Sequence, residues 1–155
     1  MDDAKYRSYV ERWDEEIEEV DLAVATTMDR LGLPLVRFGI AVVFVWFGGL
    51  KILGVSPAGE LVANTVYWVS PEFFVPVLGV WEVIIGLCLV YRPLLRLGIL
   101  LLFLQMPGTF LPLVVLPEVT FETFPYALTV EGQYIIKNLV IIGAALVVGG
   151  TVRDD

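Results

Sequence analysis

Four stretches of this chain are long and apolar enough to cross a lipid bilayer, and no other feature limits its fold as strongly. A spanning helix needs about 20 predominantly apolar residues, because it rises about 1.5 Å per residue through a hydrocarbon layer about 30 Å thick. The stretches run roughly over Leu33–Leu53, Glu72–Tyr91, Leu94–Leu116 and Tyr134–Thr151. In lipid, backbone polar groups must be paired within the segment itself, so these stretches read as helices. The expected fold is an all-α polytopic membrane protein, a four-transmembrane-helix bundle. Residues 31–152 form its membrane domain, residues 1–30 an acidic cytoplasmic segment, and residues 153–155 a short tail. The N-terminus is polar, with no short apolar core of the secretory type, so the first span is expected to act as its own insertion signal.

The distribution of charge supports this reading and removes several classes of function. Hydrophobic residues make up 57% of the 155 positions and charged residues 18%, against about 45–50% and about 25% in soluble domains. Ten of the 18 acidic residues lie in Asp2–Asp29, and only six lie between Arg30 and Arg153. A soluble single-domain enzyme and a disordered chain are both excluded. The chain has no histidine and one cysteine, Cys88. His-ligated haem, most zinc sites, Ser-His nucleophiles and dithiol exchange therefore drop out. No metal site and no tightly held cofactor is expected. The net charge of −8 argues against nucleic acid as a partner, since nucleic-acid binding needs a basic footprint. An acid-rich, Lys-poor polar surface points to a salt-loving host such as a halophilic archaeon.

Lysine and arginine placement sets the expected orientation. With the N-terminus inside, the inner side carries Lys5, Arg7, Arg12, Arg30, Arg37, Arg92, Arg96 and Arg153, and the outer half only Lys51 and Lys137. Both termini are then cytoplasmic in a cell membrane. Before the first span, residues 6–24 show an apolar stripe (Tyr6, Tyr9, Val10, Trp13, Ile17, Val20, Val24) opposite an acidic face. This predicts an amphipathic helix. Its acidic face repels anionic headgroups, so the stripe is expected to meet protein rather than lipid. The segments 55–71 and 117–133 are apolar enough to lie on the outer membrane surface or fold over the bundle mouth. Ser56-Pro57 signals a helix start in the first of them.

Polar side chains within the spans are the candidate site, because ionisable groups at membrane depth are costly and need a partner or a role. Glu82 lies in the middle of the second span, with Gly79 and Gly86 on its own helical face. Those glycines let another helix approach, which turns the carboxylate inward. Lys51 ends the first span, and Lys137, with Asn138 beside it, lies near the outer end of the fourth. Gln105 and Thr109 share a face of the third span, which Met106-Pro107-Gly108 and Pro112 are expected to kink. Trp46 and Trp81 lie deep enough to stack on a flat ring. Two lysines near one carboxylate would suit an anionic or electron-rich ligand such as a quinone headgroup. A structural ion pair holding the helices in register fits the same residues.

The run Arg37-x-x-x-Ala-Val-Val-Phe-Val-Trp-Phe-Gly-Gly-Leu-Lys51, then Leu61-Val-Ala-Asn64, Gly79-Val-Trp-Glu82-x-x-x-Gly86 and Glu131-Gly-Gln-Tyr-Ile-Ile-Lys137-Asn138, resembles the DoxX-like family over about residues 31–152. The resemblance is nearest to the branch that includes a membrane protein of bacterial reactive-chlorine resistance. It implies a four-helix membrane bundle, and it suggests quinone-linked oxidoreduction or oxidative-stress defence alongside a redox partner. The matching positions are Arg37, Lys51, Glu82, Lys137 and Asn138. Gln105-Met-Pro-Gly-Thr-Phe-Leu-Pro112 departs from that branch, which has a Thr/Ser-rich run there.

Together these readings predict an integral membrane subunit of a redox or stress-defence system. Glu82 is its candidate catalytic, proton-handling residue. Lys51, Gln105, Thr109, Lys137, Asn138 and Trp81 are the candidate ligand-binding residues, with a quinone as the possible ligand. A soluble or membrane redox partner and self-association are the expected protein contacts. A small-solute or ion transporter, coupled through Glu82, and a non-catalytic membrane scaffold are the alternatives.

Overall fold

The computed structural model describes the backbone of residues 3–153 and the side chains of residues 17–152. The chain is mostly helical and carries four helices long and apolar enough to cross a membrane. That is the make-up of a multi-pass membrane protein. Two compact units divide it, Met1–Leu35 and Val36–Asp155.

In chain order the elements are α1 (Asp3–Ile52), α2 (Gly59–Thr65), α3 (Pro71–Val90), α4 (Leu95–Phe110), α5 (Pro112–Val115), α6 (Pro117–Thr120), β1 (Phe121–Thr123), β2 (Ala127–Leu128), α7 (Val130–Ile136) and α8 (Asn138–Gly150). Short 3-10 turns occupy Arg92–Leu94 and Thr151–Arg153.

The first unit differs from the expectation. No separate amphipathic helix precedes the first span, because helical backbone continues from Asp3 to Ile52. Neither Gly32 nor Pro34 ends it. A single glycine costs a helix only about 1 kcal/mol, and a proline in an apolar helix is tolerated. Tyr6, Tyr9, Val10 and Trp13, four of the seven residues of the expected stripe, lie outside the described side chains. The other three, Ile17, Val20 and Val24, are exposed, and so is every residue from Ile17 to Leu31.

The second unit is held by small residues. On α1, Ile40, Ala41, Phe44, Gly48 and Lys51 are buried at three- and four-residue steps, one helical face. A Cβ on Gly48 would lie 2.6 Å from the Gly79 carbonyl oxygen, and one on Gly86 would lie 2.8 Å from that of Ala41. Only glycine permits this approach of α1 to α3. Helix α3 packs in turn on α4, and α4 on α8. The close contact of Gly98 with Cys88 and Leu89 seals the α3–α4 hairpin.

Helix α1 ends in a Schellman motif. Gly54 has φ +71°, the Val55 N–H donates to the Leu50 carbonyl at 3.0 Å, and the Gly54 N–H donates to that of Lys51 at 3.2 Å. The left-handed residue satisfies carbonyls that would otherwise be orphaned. At the far end of α3, Arg37 donates to the carbonyls of Leu89 and Val90.

The third and fourth spans are each interrupted, the third at Pro112, one of the two expected prolines, and the fourth at a position without proline. Helix α4 runs through Pro107 and stops at Phe110, and α5 begins at Pro112. The fourth span breaks at Lys137, where the Asn138 side chain donates to the carbonyls of Tyr134 (3.2 Å) and Ile135 (3.0 Å). A side-chain amide there replaces backbone pairing that the break removes.

The two connecting segments are folded. Helix α2 packs on α3 and α5, and its buried Thr65 donates to the Leu61 carbonyl. In the second segment β1 and β2 pair antiparallel. Thr129 caps α7 by accepting from the Gly132 N–H at 3.1 Å, and it donates to the Val119 carbonyl at 2.7 Å. A Cβ on Gly132 would lie 2.1 Å from the Thr120 carbonyl oxygen, so this cap also depends on a glycine.

Candidate functional site

The one buried ion pair among the described residues joins α1 to α3. Lys51 Nζ lies 2.6 Å from Glu82 Oε2, and the two residues are only 5% and 7% exposed. The glycines make this possible. With Gly48 against Gly79, the backbones are close enough for Lys51, three residues past Gly48, to meet Glu82, three residues past Gly79. Lys51 also sits in the last turn of α1, where the helix dipole favours a cation.

A third residue completes the cluster. Gln105 Nε2 on α4 donates to Glu82 Oε1 at 2.8 Å. Each carboxylate oxygen therefore has a donor, one cationic and one neutral. Isolated charges at this depth would be strongly disfavoured, and pairing plus hydrogen bonding offsets much of that cost. The amide of Gln105 is used on one side only. Its Oε1 is buried and has no partner among the described residues. Such an atom in a buried polar cluster calls for an explanation. The Lys51 ammonium has three N–H donors, and its recorded bond is the one to Glu82.

The other candidates lie elsewhere. Thr109 Oγ1 donates at 3.4 Å to the carbonyl of Gln105, within its own helix. Lys137 is exposed, with Nζ 5.0 Å from the centre of the Tyr134 ring. Asn138 serves the helix break. Trp81, 36% exposed, lines an apolar groove with Pro76, Val77, Val80 and Ile84 on the outward side of α3. Trp46 is also exposed. The structure thus brings together Lys51, Glu82 and Gln105; Thr109 reaches only the backbone carbonyl of Gln105, and the described contacts do not join Lys137, Asn138 or Trp81 to the cluster.

Two polar groups escaped sequence reasoning. Ser56 Oγ is buried without a partner among the described residues, although Ser56-Pro57 reads as a helix-start signal and α2 begins only at Gly59. Arg37 reads as an inner-side cation and a position of the family resemblance, and its role in closing the end of α3 has no local signature.

The donor set suits a small ligand with both hydrogen-bonding polarities. Lys51 offers N–H donors and Gln105 Oε1 a buried acceptor. Compared with known protein families, curated proteins and solved structures, the chain matches none of them.

Proposed function

We propose that the chain is a DoxX-like integral membrane subunit of a redox or oxidative-stress system, oriented with both termini in the cytoplasm. Its Lys51–Glu82–Gln105 cluster engages the polar head of a quinone or similar small redox ligand from the outer side. The supporting observation is the orphaned Gln105 Oε1 in an otherwise paired buried cluster. A ligand hydroxyl would satisfy it at a depth where an unpaired acceptor costs about 1–3 kcal/mol. The ligand would supply the electron chemistry. The chain's own residues would orient it, exclude water, and hold or release a proton at the Glu82 carboxylate.

A second reading is favoured by the closure of the pair itself. Lys51 and Glu82 satisfy one another beside a glycine-tight contact, as a register lock in a membrane scaffold would. Mass spectrometry of small molecules retained by gently purified protein separates the two. A defined small molecule bound to wild type and lost in folded Glu82→Gln supports the ligand site. Bulk lipid alone in both proteins rejects it and leaves the scaffold. Solute movement in vesicles without an electron donor would instead indicate transport.

A further inference from the structure

The opposite end of the α3–α4 hairpin from the Lys51 cluster contains a second polar feature. A pocket of about 240 Å³ is lined by Arg92, Pro93, Leu95, Arg96, Thr151 and Val152. It forms where the turn after α3, the start of α4 and the turn after α8 converge. Among the described residues no acidic side chain lines it.

Its depth in a membrane follows from the spans, whichever way the chain is oriented. Helices α3 and α4 belong to two apolar spans, Pro71–Val90 and Arg92–Val115. A three-residue turn, Arg92–Leu94, joins them. A turn that short between two spanning helices lies at the boundary of the hydrocarbon, the level of lipid headgroups.

Arg37 and Arg96, both near this end of the hairpin, are used differently. Arg37 directs its guanidinium at two carbonyls that end α3. Arg96 makes one long bond, Nη2 to the Val152 carbonyl at 3.4 Å, and is exposed. A guanidinium has five N–H donors in a planar fork that fits a phosphate through two parallel bonds. Arg96 thus retains most of its donors while facing a recess at headgroup depth.

We propose that this pocket binds the phosphate of an anionic phospholipid headgroup, with Arg96 as its ligand. The acyl chains would run along the apolar surface of the adjoining spans, and the phosphate would tie α8 to the α3–α4 turn. This site is independent of the reading of Glu82.

Native mass spectrometry of the full chain tests it, in detergent micelles doped equally with phosphatidylglycerol and phosphatidylcholine. Wild type is expected to retain phosphatidylglycerol in preference. Arg96→Gln should lower that retention about fivefold, the factor that corresponds to about 1 kcal/mol for one interfacial arginine. Val152→Trp, which fills the recess and leaves the charge unchanged, should produce a similar loss. An unchanged melting temperature shows that each variant is folded. Equal retention of the two lipids by wild type would overturn the site. So would loss in Arg96→Gln with none in Val152→Trp, since that pattern reports diffuse charge. Displacement of the lipid by millimolar inorganic phosphate would identify a free-phosphate site and overturn the lipid assignment.

Discussion

The two halves of α1 have similar apolar periodicity and opposite fates. From Ile17 to Leu31 every residue is exposed, including Ile17, Val20, Leu22, Val24 and Met28. From Ile40 to Lys51 one face is buried. The difference is in the glycines and the charges. The second half presents Ala41 and Gly48 to Gly79 and Gly86 of α3, while residues 17–31 hold no glycine and carry the carboxylates of Glu18, Glu19, Asp21 and Asp29. In an apolar medium there is little hydrophobic gain from joining two helices, so close approach and paired polar groups decide which faces meet. An apolar stripe alone does not define a contact.

Substitution at the glycine contact should therefore have the largest effect. Gly79→Val places atoms where even a Cβ lies 2.6 Å from the Gly48 carbonyl oxygen and 2.9 Å from Lys51 Cβ. Neither backbone can yield without separating the helices. The expected result is loss of the folded form, with a cost above the usual 1–3 kcal/mol of overpacking. It would be seen as aggregation on size exclusion in detergent. A stable, monodisperse Gly79→Val protein would show that packing at this face does not hold α1 on α3.

The ion pair is expected to come next. Removing one partner leaves a buried charge uncompensated, so Lys51→Met should lower stability by about 3–5 kcal/mol. The paired change Lys51→Met with Glu82→Leu should recover part of that loss, because two apolar groups of similar size need no partner, while the Gln105 amide loses its acceptor. Chemical unfolding of the two single variants and the double variant measures this coupling. Equal losses in Lys51→Met and the double variant would mean that the pair contributes through shape alone.

A smaller loss is expected at the far end of α3. Arg37→Ala removes the donors to two carbonyls, and a charged hydrogen bond contributes about 1.5–3 kcal/mol. Partial exposure of this end should bring the loss toward the lower value, a modest drop in melting temperature. No change at all would show that water replaces the guanidinium there.

Much of this was legible in the sequence, for reasons that particular residues make clear. The spans read as Glu72–Tyr91 and Leu94–Leu116 agree closely with Pro71–Val90 and Arg92–Val115, because hydropathy over about 20 residues is a direct readout of the solvent. The inward turn of Glu82 was readable from Gly79 and Gly86, which mark a close-packed face at helical spacing. Lys51 lies within reach because it follows Gly48 by the same step. Lys137 was harder to place. A lysine near a span end can turn inward or outward, and the break at Lys137, which depends on the Asn138 side chain, has no local signal as strong as a proline. Proline itself gave a mixed signal, since Pro107 is carried within α4 and Pro112 starts a new helix. The start of α1 failed for another reason. A shift from acidic to apolar composition marks a change of solvent, and a helix can cross such a boundary without ending.

The smallest effect is expected where the comparison began. The described apolar part of α1 from Ile17 to Ile52 has 36 residues, about 54 Å at 1.5 Å per residue, well beyond the hydrocarbon thickness of about 30 Å. Part of it must therefore stand outside the hydrocarbon, and the carboxylates of Glu18, Glu19, Asp21 and Asp29 favour the N-terminal part. Side chains exposed along that length give up no protein contact when replaced. Ile17→Ser with Val20→Ser and Val24→Ser should change stability by no more than about 0.5 kcal/mol per position, with an unchanged melting temperature in detergent. A fall of several degrees would mean that the stripe packs against another copy of the chain, and a matching fall in oligomer mass would locate that contact. If the melting temperature holds while recovery of a membrane or soluble partner from native extracts is lost, the stripe is a recognition surface. The two halves of α1 would then divide the work, one holding the bundle together and the other meeting the partner.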